Sequence, residues 1–258
     1  MNTLFDFNER IKTKMLRGEV SIGVFLLSAN SFIAEAMANH PIDWMLIDME
    51  ASHASKEDVL HILQAINGYE VTPVIRVAEQ SKHLIESCLD FGARGVMVPK
   101  IDTAQQAAEM SDACFYPPKG NRGINCIRAS GFYLNAKQYF DKANDNILSI
   151  LQIESKESIS NIDSIAQTEN ADILFVGLGD LAASYGQNGN VSGRLMDEAR
   201  AKVIEACKTH NKIPGIFAHS IDVANQYAGE GFRFIAIGND IKFLHQGLTD
   251  SLMKIKVK

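Results

Sequence analysis

LSILQIESKESISNIDSIAQTENADILFVGLGDLA, residues 148–182, holds one complete architectural unit. LSILQI (148–153) is apolar and β-branched with little polar interruption, the pattern of a strand covered on both faces. Ser155-Lys-Glu-Ser then carries a helix start, with serine as N-cap ahead of the amphipathic run ISNIDSIAQ. DILFVG (172–177) repeats the strand signature. A buried strand, a helix and a second buried strand predict a parallel pair joined by a helical crossover.

Outward from this unit, similar runs recur at about 20–26 (VSIGVFL), 43–48 (DWMLID), 73–77 (PVIRV) and 94–98 (RGVMV), and again at 213–217 (IPGIF) and 233–238 (RFIAIG). With the first two they make eight. Further helix starts, Ser55-Lys-Glu-Asp before VLHILQAI and Asp102-Thr before AQQAAEM, stand between them. Eight alternating units with no linker-like segment predict an α/β chain folded as a single-domain (β/α)8 TIM barrel over residues 1–258, preceded by an N-terminal helix. One interval is too long for the rhythm: the Gly-, Pro-, Asn- and Arg-rich stretch FYPPKGNRGINCIRASGFYLN, read as a long loop at about 115–145. Extra length after a barrel strand is expected at the C-terminal face, where such folds build active sites. Arg122, between glycines in that loop, is therefore a candidate substrate contact, against the alternative of an inert surface excursion.

Composition narrows the function. At 258 residues with 46% hydrophobic and 22% charged residues, the chain has the material for a large core. A net charge of −6 with no basic block gives no reason to expect nucleic acid or an anionic membrane as partner, and no stretch is long and apolar enough for a membrane span. The four cysteines are widely spaced with no CxxC pair and read as reduced packing residues; the N-terminus lacks a signal-peptide pattern. A cytoplasmic protein acting on a small molecule is the expectation.

Polar groups at strand ends are what a barrel gathers at one mouth. Asp48, Glu50 and His53 follow the second strand, Arg76 closes the third, Gln152 and Glu154 end the fifth, and Asp180 follows the sixth. Glu154 and Asp180 lie on neighbouring strand ends and make a plausible pair of hard oxygen ligands for a divalent cation. As acids at strand-to-helix turns they fit N-terminal helix roles equally well. An arginine inside PVIRV is costly to bury unpaired and points to an anion at the mouth, or to a neighbouring acid. His53 beside a helix start reads as readily as an exposed residue as a catalyst. Lys100 in VMVPK stands where a Schiff-base lysine would, although lysines in such loops are usually solvated.

DWMLIDMEASH, PVIRV, LDFGARGVMVPK, YPPKGNRGIN, LQIESKESI, VGLGDLAASYG and PGIFA, in this order and spacing over roughly residues 20–245, resemble the HpcH/HpaI aldolase/citrate lyase family. The nearest pattern is that of its class II metal-dependent pyruvate aldolases, which act on 2-keto-3-deoxy acids. The resemblance implies reversible cleavage to pyruvate and an aldehyde through a metal-stabilised enolate. It implies a divalent cation, Mg²⁺ or Mn²⁺ with Co²⁺ or Zn²⁺ as alternatives, on Glu154 and Asp180. Arg76 and Gln152 then contact substrate, Gly179 lies in the loop whose backbone faces pyruvate, and Asp48 and Asp90 orient the arginine and histidine or reach in from a neighbouring subunit. A homo-hexamer, a trimer of dimers exchanging C-terminal helices, is implied as well.

The chain departs from the family at one catalytic position. The D-x-E-H pattern has Ala51 in place of histidine, with His53 two places late. Either His53 reaches the site through a reshaped turn or water serves as the base. Oxaloacetate decarboxylation, cleavage of a CoA ester, or keto-acid binding without catalysis are the alternative readings that this departure opens.

Overall fold

The computed structural model describes residues 7–255, with side chains from residue 11 onward. Eight parallel strands, β1 (Ser21–Leu26), β2 (Trp44–Asp48), β3 (Thr72–Arg76), β4 (Gly95–Val98), β5 (Leu148–Ile153), β6 (Ile173–Val176), β7 (Ile213–Phe217) and β8 (Phe234–Asn239), pair in sequence order and close β8 onto β1. Every predicted strand is present within one or two residues, because each carries a buried run that no helical periodicity competes for. The helices are α1 (Phe7–Leu16), α2 (Ser31–Ala38), α3 (Lys56–Ala65), α4 (Lys82–Asp90), α5 (Ala104–Asp112), α6 (Ala136–Ala143), α7 (Lys156–Ser160), α8 (Ile162–Ala166), α9 (Leu178–Ser184), α10 (Arg194–Thr209), α11 (Ile221–Glu230) and α12 (Asp240–Lys254). Ser55 and Thr103 cap α3 and α5 in full capping boxes, closed by Asp58 and Gln106, as those start signals require.

Alternation of side chains along each strand divides the core in two. Phe25, Trp44, Leu46, Val74, Met97, Ile150, Phe175 and Phe234 point into the barrel, and a larger cluster fills the space between strands and helices. At the N-terminal end of the barrel the inner cluster gains Ile11 and Met15 from α1. Lys12 and Lys14 fasten that helix to Asp172 and Asp43, which lie just ahead of β6 and β2. Trp44 stacks on Phe234 with ring centroids 3.8 Å apart and lies over Gly23, where a Cβ would come 2.0 Å from the indole. The four cysteines are buried and free. No described helix is long and apolar enough to cross a membrane.

The structure corrects the placement of the long interval. β4 passes into α5 after only five residues, and the excess length follows that helix, so the chain has already returned toward the N-terminal end when residues 113–147 depart. These residues include turns and α6 and pack beneath α3 and α4. Arg128 donates to the carbonyls of Leu63 and Phe91 at the C-terminal ends of those helices, where the helix dipole favours a cation. Residues after a strand and residues after the next helix are adjacent in sequence but sit at opposite ends of a barrel.

Candidate active site

Strand alternation aims the site. Leu46 and Val74 face inward, so Asp48 and Arg76, two residues further along paired strands, face inward as well and are register partners. Asp48, fully buried, accepts from Arg76 Nε at 2.9 Å and Nη2 at 2.6 Å, a bidentate pair in which the carboxylate fixes the guanidinium plane. The backbone N–H groups of Glu50 and Ala51 also donate to Asp48. Arg76 Nη1 is left to reach Glu50 at 3.0 Å and the Gln152 carbonyl oxygen at 3.4 Å. The Gln152 amide in turn donates to Glu154. One connected row thus runs across the mouth from β2 to β5.

Glu154 is 4% exposed and accepts from the backbone N–H of Lys100 at 2.9 Å. Burial, followed by repulsion from Glu50 and Asp180, pushes its carboxyl up to about 7, with the Lys100 N–H and Arg76 acting in the opposite direction. Asp180, in the first turn of α9, is exposed at the same opening. Gly177 leads into that helix; a Cβ there would come 2.6 Å from Glu154 Oε2 and 2.9 Å from Gln152 Nε2, so only glycine lets the β6 turn pass the carboxylate. Among the described residues no three His, Cys, Asp or Glu side chains converge as a ready-made cage. What the mouth offers instead is Glu154 with Glu50 and Asp180 near enough to repel its charge. Such an oxygen-only set fits a hard dication that keeps positions for water and ligand.

Three expected residues, His53, Arg122 and Asp90, stand outside this row. His53 is exposed in the turn between β2 and α3, and its electrostatic interaction is with Asp58 at the start of α3 rather than with the row at the mouth. Arg122 is buried and pairs with Asp90 at 2.7 Å, its guanidinium 4.4 Å from the Tyr116 ring. Asp90 ends α4, which runs back from the mouth, so within one chain this pair belongs to the opposite end of the barrel. Lys100, the Schiff-base alternative, is 65% exposed and bonds Glu50 at 3.2 Å. That carboxylate raises its pKa, the opposite of what a nucleophilic amine needs.

Sequence reading passed over one group. His219 follows inward-facing Phe217 by two residues, and the rings lie 5.2 Å apart. The signal was the alternation in IPGIFAH, which continues the inward set past the end of β7.

Comparison with known proteins places the whole barrel in a family. The family model for HpcH/HpaI aldolase/citrate lyase matches residues 21–246. A 2-keto-3-deoxy-L-rhamnonate aldolase from Shigella boydii is 35% identical over 259 aligned residues, covering 99% of this chain and 96% of the relative. The crystal structure of a HpcH/HpaI aldolase/citrate lyase family protein from Burkholderia cenocepacia superposes with a TM-score of 0.91 at 33% identity, covering 96% of this chain and 99% of that one. A HpcH/HpaI aldolase from Desulfitobacterium hafniense shares the fold, with a TM-score of 0.89 at 24% identity over 96% of both chains. On the matched span and the full-length likeness, the chain belongs to the HpcH/HpaI aldolase/citrate lyase family.

Proposed function

We propose that the chain is a metal-dependent aldolase that reversibly cleaves a 2-keto-3-deoxy acid to pyruvate and an aldehyde. The observation that carries this reading is the guanidinium of Arg76, locked by Asp48 and tied through Gln152 to Glu154. The names of the relatives support it. Glu154 and Asp180 would hold the cation, Mg²⁺ or Mn²⁺. When bound, that ion polarises the keto group and stabilises negative charge developing on its oxygen.

The chain's own residues supply the rest. Arg76 presents a fixed positive charge to the keto acid, and Asp48 removes the reorganisation that a mobile arginine would need. Gln152 and Glu50 hold the free edge of the guanidinium. In cleavage the C3–C4 bond breaks, its electron pair passes toward the keto oxygen, and the proton of the C4 hydroxyl leaves as the aldehyde forms. With Ala51 at the usual histidine position and His53 exposed, a water would take that proton and C3 of the enolate would then take one up, giving pyruvate. The same exposed histidine favours a second reading, decarboxylation of a β-keto acid such as oxaloacetate, which needs no proton removed from a hydroxyl. Assays of both substrates with Mn²⁺ and Mg²⁺, before and after chelation, test the proposal; turnover undiminished in the stripped protein would end it.

A proton and the cation compete for Glu154. With its carboxyl pushed up to about 7, metal affinity is expected to fall about tenfold per pH unit below that value and to level off above it. Titrating Mn²⁺ by calorimetry from pH 5.5 to 8.5 reads this directly, and a flat profile would remove Glu154 from the ligand set.

We also assign a cytoplasmic location and the hexameric assembly implied by the family resemblance. In such an assembly Asp90, held by the buried Arg122, reaches toward a neighbouring subunit's mouth, and Gly179 contributes its backbone to the keto-acid pocket. Support for assembly comes from α12, which exposes Leu244, Leu248 and Leu252 on one face, at 67%, 56% and 59%. The double substitution L244D/L248D is expected to shift the mass in solution from oligomer to monomer by light scattering. An unchanged mass would exclude this face from the interface.

A further inference from the structure

The mouth has two unlike halves. β2, β3 and β5 contribute Asp48, Arg76 and Gln152, with Glu154 just past β5, whereas β1 and β7 contribute Phe25 and Phe217, with Leu27 just past β1. The halves meet where the Arg76 guanidinium lies over Phe25, 5.6 Å from the ring centroid. From Phe25 an edge-to-face contact of 5.3 Å leads to Phe217, and a tilted contact of 5.2 Å leads on to His219. This row of rings starts at the charge that holds the keto acid and ends at an imidazole on the rim. Its far end is polar, and nothing in the cleavage chemistry described above uses it.

His219 is suited to hydrogen bonding with neutral groups. The neighbouring Lys242 donates to the His219 backbone carbonyl, and burial and the Lys242 charge both favour the uncharged ring, which has one donor and one acceptor nitrogen. His40, His61, His83, His210 and His245 lie within helices or just after them, and His53, which also follows a strand, has no ring contact with this row among the described residues. A three-carbon keto acid held at Arg76 stays clear of the rim, while a longer chain laid along the rings approaches it. Carbon-bound hydrogens of such a chain pack on Phe25 and Phe217, and its hydroxyls face the imidazole.

We propose that His219 is a specificity-determining residue, hydrogen bonding to hydroxyl groups on the distal, aldehyde-derived carbons of a polyhydroxylated keto acid, with Phe25 and Phe217 as the apolar track beneath them. The proposal rests on the aldolase reading and assigns the half of the site that reading leaves open.

The test compares two substrates that share the reacting carbons: a six-carbon 2-keto-3-deoxy sugar acid with distal hydroxyls, and 4-hydroxy-2-oxopentanoate, which has none. Retro-aldol cleavage by the Mn²⁺-loaded wild-type protein and by H219A, H219N and H219F is followed by pyruvate release. In H219A the ratio of kcat/KM for the sugar acid to that for the five-carbon substrate is expected to fall about tenfold, mainly through KM, the scale of one lost hydrogen bond to a neutral group. H219N, which keeps a donor and an acceptor, recovers part of the ratio, and H219F does not. An unchanged ratio in H219A, or full recovery by H219F, overturns the proposal. Wild-type protein that cleaves neither substrate defeats the aldolase reading itself, and methyl-proton exchange of pyruvate in D2O shows whether the Arg76 half still works in each variant.

Discussion

Glu154→Gln is expected to lower aldol cleavage by at least about 10³-fold while raising the melting temperature of the metal-free protein at pH 8. The loss follows from removing one of the two anionic donors of the proposed cation site, where a dication would supply several kcal/mol of charge stabilisation. The gain follows from the sign of the Glu154 shift. Its carboxyl titrates near 4.5 when unfolded and is pushed up to about 7 in the fold, so the native state holds the extra proton across that window and loses stability as pH rises through it. A neutral amide of the same shape escapes that cost, which amounts to about 3 kcal/mol. The melting temperature should therefore rise by a few degrees without metal and respond little to added Mn²⁺. Calorimetric melts at pH 5 and 8, with and without Mn²⁺, check both halves. A variant that melts lower at pH 8 without metal would show that the Glu154 charge is satisfied inside the protein.

Arg76→Met combines two large effects. Asp48 has no solvent exposure, and loss of the guanidinium leaves its charge with two backbone N–H donors, Glu50 and Ala51. Breaking a buried pair in this way costs about 3–5 kcal/mol. Activity is expected to fall by about 10³-fold or more, since the charge facing the keto acid is gone. The double substitution R76M/D48N separates the causes: it should recover most of the stability and none of the activity. Arg76→Lys keeps the charge but cannot satisfy both Asp48 oxygens in one plane, and it should lie between. Urea unfolding and steady-state kinetics on the three variants measure the outcome. Full activity in R76M would remove the anion site from the mechanism.

These two residues also show what could be read in the sequence. Arg76 inside PVIRV and Glu154 after LSILQI were legible because a charge that interrupts or ends a buried strand has few places to go, and parallel alternation fixes which. Asp48 was legible for the same reason, and its register pairing with Arg76 followed once β2 and β3 were neighbours. Arg122 was misplaced. Its loop was measured from β4, whereas α5 had already carried the chain to the other end of the barrel. His53 was beyond sequence reading, because two inserted positions change the direction of a side chain at a turn without changing any pattern. His219 was hidden by its position one residue past Ala218, outside the apolar run that marks β7. Strand interiors announce themselves through burial; rims are set by turn geometry, which short polar stretches do not encode.

The closed N-terminal end of the barrel bears on the order of events. Ile11 and Met15 from α1, with the Trp44–Phe234 stack above them, leave no passage through the base, so the cup fills and empties by a single door. On the proposed reading, the fragment anchored at Arg76 would sit innermost, with the one along the rings between it and the exit. Molecules would then queue: in condensation the keto acid would enter ahead of its partner, and in cleavage it would be the last to go. A tryptophan laid flat over a glycine, far from the mouth, would thereby impose a sequence on the chemistry above it.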